Sequence, residues 1–187
     1  MTVGFALCGS FCTFEKIFPA MEELAKHHRV VPIFSGAAGS TDTRFGEAQA
    51  HLARAVEICG TEPILTIAQA EPIGPKKLLD ALVIAPCTGN TLAKLAHSIA
   101  DSPVTMAAKS HLRNGRPILI GVSSNDALAG AAENIGKLLG RKHYYFIPFG
   151  QDDPYGKPTS MVADFSRLLP ALDAAMAGQQ LQPLLIS

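Results

Sequence analysis

Positions 86 to 91 hold a proline, a cysteine, two threonines, a glycine and an asparagine, directly after the apolar run Ala81-Leu-Val-Ile-Ala85. Residues this small let backbone N–H groups approach an anion, and a helix starting beyond them adds the positive end of its dipole. Comparable residues end three other apolar runs: Gly9 and Ser10 after "VGFAL", Ser35 and Gly36 after "RVVPIF", and Ser123 to Asn125 after "PILIGV". Gathered on one rim, they suit a phosphate-bearing cofactor. The candidate contacts are Gly9, Ser10, Ser35, Pro86, Thr88, Asn90, Thr91, Ser123 and Asn125. Composition alone leaves a second reading open, because Ser, Thr and Asn are also the preferred helix N-caps. No GxGxxG follows the first apolar run and no GxxxxGK[ST] occurs, which disfavours a Rossmann dinucleotide site and a P-loop.

These residues need a scaffold, and the pattern between them supplies one. Apolar strand-like runs alternate with segments of helical period, as in a parallel sheet covered on both faces. The strands expected are "VGFAL", "RVVPIFS", "EPILTI", "ALVIA", "PILIGV" and "YYFIPF". Between them the period predicts helices over "FEKIFPAMEELAKHH", "RFGEAQAHLARAVEIC" capped by Thr43, a helix begun by Thr91, "VTMAAKSHLRNG", "ALAGAAENIGKLLGRK" and "VADFSRLLPALDAAMAG". "GAAGSTDT" and "GQDDPYGKPTSM" read as loops, and "QQLQPLLIS" as an apolar-ended tail for a neighbouring protomer. In a parallel sheet of this kind ligands bind beyond the carboxyl ends of the strands, where the candidate residues lie.

The 187 residues suit a single α/β domain, 48% hydrophobic and 17% charged, with no run long enough to span a membrane. Sixteen basic residues balance sixteen acidic ones, so there is no basic field for nucleic acid or an anionic membrane. The N-terminus lacks a positive region before its apolar start, and a cytoplasmic location is expected. Cys8, Cys12, Cys59 and Cys87 have no CxxC spacing and read as reduced thiols, with no disulfide and no metal site. The histidines all fall in helical or helix-end settings and read as structural or solvated.

"GFALCGSFCTF", "VVPIFS", "LVIAPCTGNTLAKLAHSIADSPVTMAAKSHLRNGRPILIGVSSND" and "YYFIPFGQDDPYGKP", in this order, resemble the flavoprotein superfamily of flavin-dependent cysteine decarboxylases. "PCTGNTLAKLA" is similar to its PxxxNTxAKxA flavin loop. The resemblance implies a flavodoxin-like, Rossmann-like three-layer αβα domain with FMN as cofactor. Asn90 and Thr91 would then hydrogen-bond the flavin ring or its phosphate arm, and Gly9, Ser10 and Ser35 would lie near the phosphate. Two departures argue against cysteine decarboxylation: "AEPIGPKKLLDA" lacks the family's histidine, and "GVSSN" keeps only Asn125 of its PxMN motif. "MAAKSHLRNGRPILIGVSSND" and "FIPFGQDDP" with the terminal "LQPLL" point to one branch. Its members act with a separate dinucleotide-binding polypeptide, the A component of the pair, which carries NAD(P). Together they oxidise a dihydro- or hydroxytetrahydro-dipicolinate to dipicolinic acid in sporulating bacteria. The substrate is then a small dicarboxylate, with Lys109, Arg113 and Lys157 as candidate clamps. A homo-oligomer built from trimers, as in similar flavoproteins, is also implied. Alternatives are a non-catalytic binding component that has kept the fold and, weakest, a flavin-dependent decarboxylase or prenyl-flavin-type transferase.

Overall fold

The structure is a computed structural model describing residues 1–186. Strand β3 (Ala81–Cys87) lies between two parallel neighbours with every residue buried, which is why its sequence is apolar without alternation. Ile84 pairs with Ile120 and Cys87 with Val122, so β3 carries one extra residue between these pairs. Pro86 sits at that irregularity. Proline has no N–H for the ladder, and a bulge is where a central strand tolerates one.

Around β3 the strands β2 (Arg29–Phe34), β1 (Thr2–Leu7), β3, β4 (Ile118–Ser124) and β5 (Tyr144–Phe146) run parallel in that order. The chain steps outward from β1 to β2 and returns on the other side of β1 to form β3. The switch point of the sheet therefore lies between the carboxyl ends of β1 and β3. Two short antiparallel strands, β6 (Phe149–Gly150) and β7 (Met161–Ala163), extend the end of β4, where Ser123 and Ser124 pair with Val162 and Met161.

Helices α1 (Phe14–His27), α2 (Gly36–Ser40), α3 (Ala48–Cys59), α4 (Ile67–Ala70), α5 (Gly89–Ala96), α6 (Pro103–Leu112), α7 (Ala132–Leu139) and α8 (Leu168–Met176) flank the sheet. One layer joins α1 to α3 and, through the turn Phe165–Arg167, to α8. The other joins α4, α6, α5 and α7. The amphipathic period of α1 buries Ile17, Met21 and Leu24 as read from the sequence, beside the edge-to-face pair Phe14 and Phe18 at 5.9 Å.

Several local expectations change. "EPILTI" is not a strand: Ile64 makes one bridge to Ile33, and Thr66 then caps α4 with a full capping box, a local bond set that outcompetes the ladder. "YYFIPF" divides at Ile147 and Pro148 into β5 and β6. Residues 161–163 are strand β7, and the last helix begins only at Leu168. "GAAGS" is the short helix α2, capped by Ser35 accepting from the Ala38 N–H at 3.2 Å. Thr43 does not cap a helix, and α3 starts at Ala48. The tail lies on its own chain, with Leu185 bridging Phe149.

Candidate functional site

The carboxyl ends of β1, β3 and β4 open on a cleft of about 620 Å³. Gly9 and Ser10 line it from β1, Thr88 and Gly89 from β3, and Ser123, Ser124 and Asn125 from β4. Arg44 and Phe45 reach it from the loop between α2 and α3, while Asp152, Lys157 and Ser160 come from the loop between β6 and β7.

Its polar centre is a triangle of hydroxyls. Ser10 Oγ lies 2.8 Å from Ser123 Oγ and 3.0 Å from Thr13 Oγ1, and Thr13 Oγ1 lies 2.8 Å from Ser123 Oγ. Each hydroxyl has one proton to donate and lone pairs to accept, so the ring either closes on itself or gives up one of its three bonds to turn that O–H outward to an anion. The residues come from β1's loop and β4's end, far apart in sequence, and are joined only because β1, β3 and β4 are successive in the sheet.

Thr88 caps α5, its hydroxyl accepting from the Thr91 N–H at 3.3 Å. Buried Thr91 donates to Cys8 Sγ at 3.3 Å. Both threonines therefore hold the loop in shape, and the helix begins two residues before Thr91, at Gly89. Burial pushes the Cys8 thiol up to about 11 and Cys87 well above the usual thiol range, the latter reinforced by Cys8. Neither is a thiolate nucleophile. Asn90 is exposed on the first turn of α5 and, like Thr91, is not among the residues lining the cleft; the cap is made by Thr88.

A Cβ at Gly89 would stand 2.7 Å from Asp126 Oδ1 and 3.0 Å from Ser124 Oγ. Only glycine admits the Asp126 carboxylate, itself bonded to Ser124, this close to the first turn of α5. That carboxylate complements the helix dipole.

The remaining candidates disperse. Ser35 caps α2 and does not line the cleft, although α2 approaches it: a Cβ on Gly9 would be 3.4 Å from Ala37. Pro86 is buried within β3. Lys157 lines the cleft 3.3 Å from Asp152. Burial works to raise the Asp152 pKa, but Ser160 and Lys157 outweigh it and hold the carboxyl below its usual range. Lys109 and Arg113 stand elsewhere, lining a hollow of about 310 Å³ with Leu95, Ile99, Leu112, Arg141 and Tyr144. The reason is topological. α6 leads into the amino end of β4, so its last turn is carried away from the strand ends that form the cleft.

Arg44, Phe45, Thr13 and Asp126 were not found from the sequence. Gly46 was the available signal for the first two: a glycine in the opening turn of a supposed helix marks a turn instead, and its φ is 131°. Among the described residues no group of three or more His, Cys, Asp or Glu is placed to hold a metal, and no helix is long and apolar enough to cross a membrane.

Residues 1–145 match the family model described as Flavoprotein. The chain is 48% identical over 185 residues to the B component of dipicolinate synthase from Bacillus subtilis (strain 168), covering 98% of this chain and 92% of that one. The crystal structure of the corresponding dipicolinate synthase component from Bacillus halodurans C superposes with a TM-score of 0.91 at 45% identity, covering 100% of this chain and 96% of that chain. That of the FMN-dependent cysteine decarboxylase SpaF gives a TM-score of 0.66 at 20% identity, over 94% and 97% of the respective chains, a likeness of fold alone.

Proposed function

We propose, from the premise that this chain belongs to the flavoprotein family and to its dipicolinate synthase branch, that it is the flavin-fold B component of a dipicolinate synthase. With a dinucleotide-binding A component that carries NAD(P), it oxidises a dihydro- or hydroxytetrahydro-dipicolinate to dipicolinic acid.

One observation carries the reading: a hydroxyl triangle, Ser10, Thr13 and Ser123, at the switch point of the sheet, inside a cleft of about 620 Å³. These residues fit FMN. The triangle offers hydroxyls to a phosphate, and Gly9, Thr88 and Gly89 line the cleft beside it with small residues, while Asn90 stands exposed on the next position of α5, outside the lining. When bound, the flavin supplies a two-electron hydride acceptor. The chain's own part is to hold the phosphate end on Ser10, Thr13 and Ser123, to fix the loop through Thr88 and Thr91, and to place Asp126 in the cleft. Aromatising the dihydro ring removes a proton as well as a hydride, and from the hydroxytetrahydro ring a water leaves too. Asp126 is the lining carboxylate without an ion-pair partner among the described residues, and the proton goes to it.

Asp126 also favours a second reading. A carboxylate already complements the α5 dipole where the family loop meets its cofactor, which suits a protein that keeps the fold without flavin and positions its dinucleotide-binding partner. The absorbance spectrum of the purified chain, followed by FMN titration of the parent and Asn90→Ala, separates the two. On the flavin reading the parent binds FMN and Asn90→Ala binds it more weakly by about 1–3 kcal/mol, with little change in apo-protein melting. A parent that takes up no FMN leaves the positioning reading. The chain assembles into a homo-oligomer through the exposed leucines of the Gly/Ala-rich segment, Leu128 and Leu139. Light scattering tests this, and a monomer contradicts it.

A further inference from the structure

The cleft has a preformed cationic edge that the cofactor does not explain. Thr43 and Gly46 bond to each other in both directions, N to O at 3.0 and 3.1 Å, and the Phe45 N–H donates to Thr43 Oγ1 at 3.1 Å. Asp42 anchors this tight turn to α3 by accepting the Ala48 N–H at 2.9 Å. The glycine is required: its φ is 131°, and a Cβ there would stand 2.8 Å from the His51 ring, which is wedged against Phe14 and Phe18. The turn is thus rigid, and its tip carries two exposed side chains into the lining of the cleft.

Phe45 remains 44% exposed, with the Arg44 guanidinium 4.8 Å over its ring. A stacked arginine is pre-aimed, so less side-chain freedom is lost when it pairs. From the opposite loop comes Lys157, held by Asp152. The other lining carboxylate, Asp126, is bonded to Ser124. Arg44 is therefore the lining cation with no ion-pair partner among the described residues, and a planar fork suits a planar carboxylate.

We propose that Arg44 receives one carboxylate of a ring dicarboxylate through its guanidinium fork, that Phe45 packs on the ring, and that Lys157 takes the second carboxylate in exchange for Asp152. This rests on the cleft being the substrate's, as argued above. It replaces Lys109 and Arg113 as the receptors.

The test is calorimetric titration of the full chain, supplied with FMN, using pyridine-2,6-dicarboxylate and pyridine-2-carboxylate as probes. FMN affinity is measured separately by flavin fluorescence. Arg44→Gln is expected to raise the Kd of the diacid about tenfold or more, and Arg44→Lys to raise it less, because charge survives while the fork is lost. Lys157→Gln weakens the diacid and leaves the monoacid unchanged. Arg113→Gln changes neither, and FMN affinity stays within about twofold in every variant. A diacid bound equally well by Arg44→Gln, or not bound by the parent, overturns the proposal. So does FMN affinity that falls in step with the diacid, which would make Arg44 a cofactor residue. Diacid binding that needs Arg44 in a chain without FMN affinity keeps the clamp and removes only the flavin reading.

Discussion

The two ends of the sheet each carry a concavity of ligand size with cations on it, and they are built differently. At the carboxyl ends the lining is hydroxyl-rich and gathered from loops after β1, β3 and β4, so its polar groups face one another across the switch point. At the amino ends of β4 and β5 the hollow is apolar between helices α5 and α6. Its Arg141 is spent on the fold, donating to the Leu95 and Ala96 carbonyls at 3.0 and 2.7 Å, the open end of α5. A cation near a cavity is thus not a receptor by proximity. Arg141 differs from Arg44 in that its hydrogen bonds are already taken by backbone.

If that contrast is right, damage at the amino end costs stability and damage at the carboxyl end costs binding. The largest effect is expected from acid. His111 on α6 is fully buried, with Nε2 against the Pro117 carbonyl at 3.1 Å and Nδ1 unpartnered, and burial pushes its pKa down from 6.5 to about 4. The folded state binds fewer protons than the unfolded one in this window. The stability is full above about pH 6.5 and is lost as pH falls toward about 4, by up to about 3 kcal/mol. Burial also lowers His28 and His51, which adds in the same direction. Urea unfolding of the parent and of His111→Asn checks this, because the variant's stability should fall less steeply across the window.

Next comes Arg141→Ala, which leaves two carbonyls of α5 without their donor. A loss of about 1–3 kcal/mol is expected by thermal or urea melting, with FMN affinity retained at temperatures where the variant is folded. Loss of FMN binding in this folded variant would erase the distinction between the two ends.

Ser123→Ala should behave in the opposite sense. Ser10 and Thr13 keep their mutual bond, so unfolding costs about 1 kcal/mol or less, while FMN affinity falls about tenfold as a phosphate donor is removed. Arg113→Gln is expected to be the quietest, within about 0.5 kcal/mol in melting and unchanged in FMN titration, because the side chain is exposed and lies outside the carboxyl-end cleft.

The sequence made the carboxyl-end site legible because each of its strands ends at a visible change, from apolar run to Gly, Ser, Thr or Asn. Gly9, Ser10, Thr88, Ser123 and Asn125 accordingly line one cleft. Residues within the loops were harder to read. Arg44 and Phe45 sit where a helical period continues smoothly through "RFGEAQAHL", and only the φ demanded of Gly46 breaks it. Lys109 and Arg113 fall outside this cleft for another reason. Their segment marks a family, but direction within a parallel fold places a helix's last turn beside the next strand's beginning. Ser35 and Thr91 show the limit of residue type, since one hydroxyl serves a cap and the other a buried thiol.

The most direct measurement of the central claim, that the carboxyl-end cleft holds a flavin, is hydrogen exchange of the full chain with and without saturating FMN. Protection is expected in peptides spanning Gly9 to Thr13, Thr88 to Thr91 and Asn125 to Asp126, with exchange unchanged over Lys109 to Arg113. FMN that leaves the first three segments unaltered, or that protects the α6 end instead, would contradict the account.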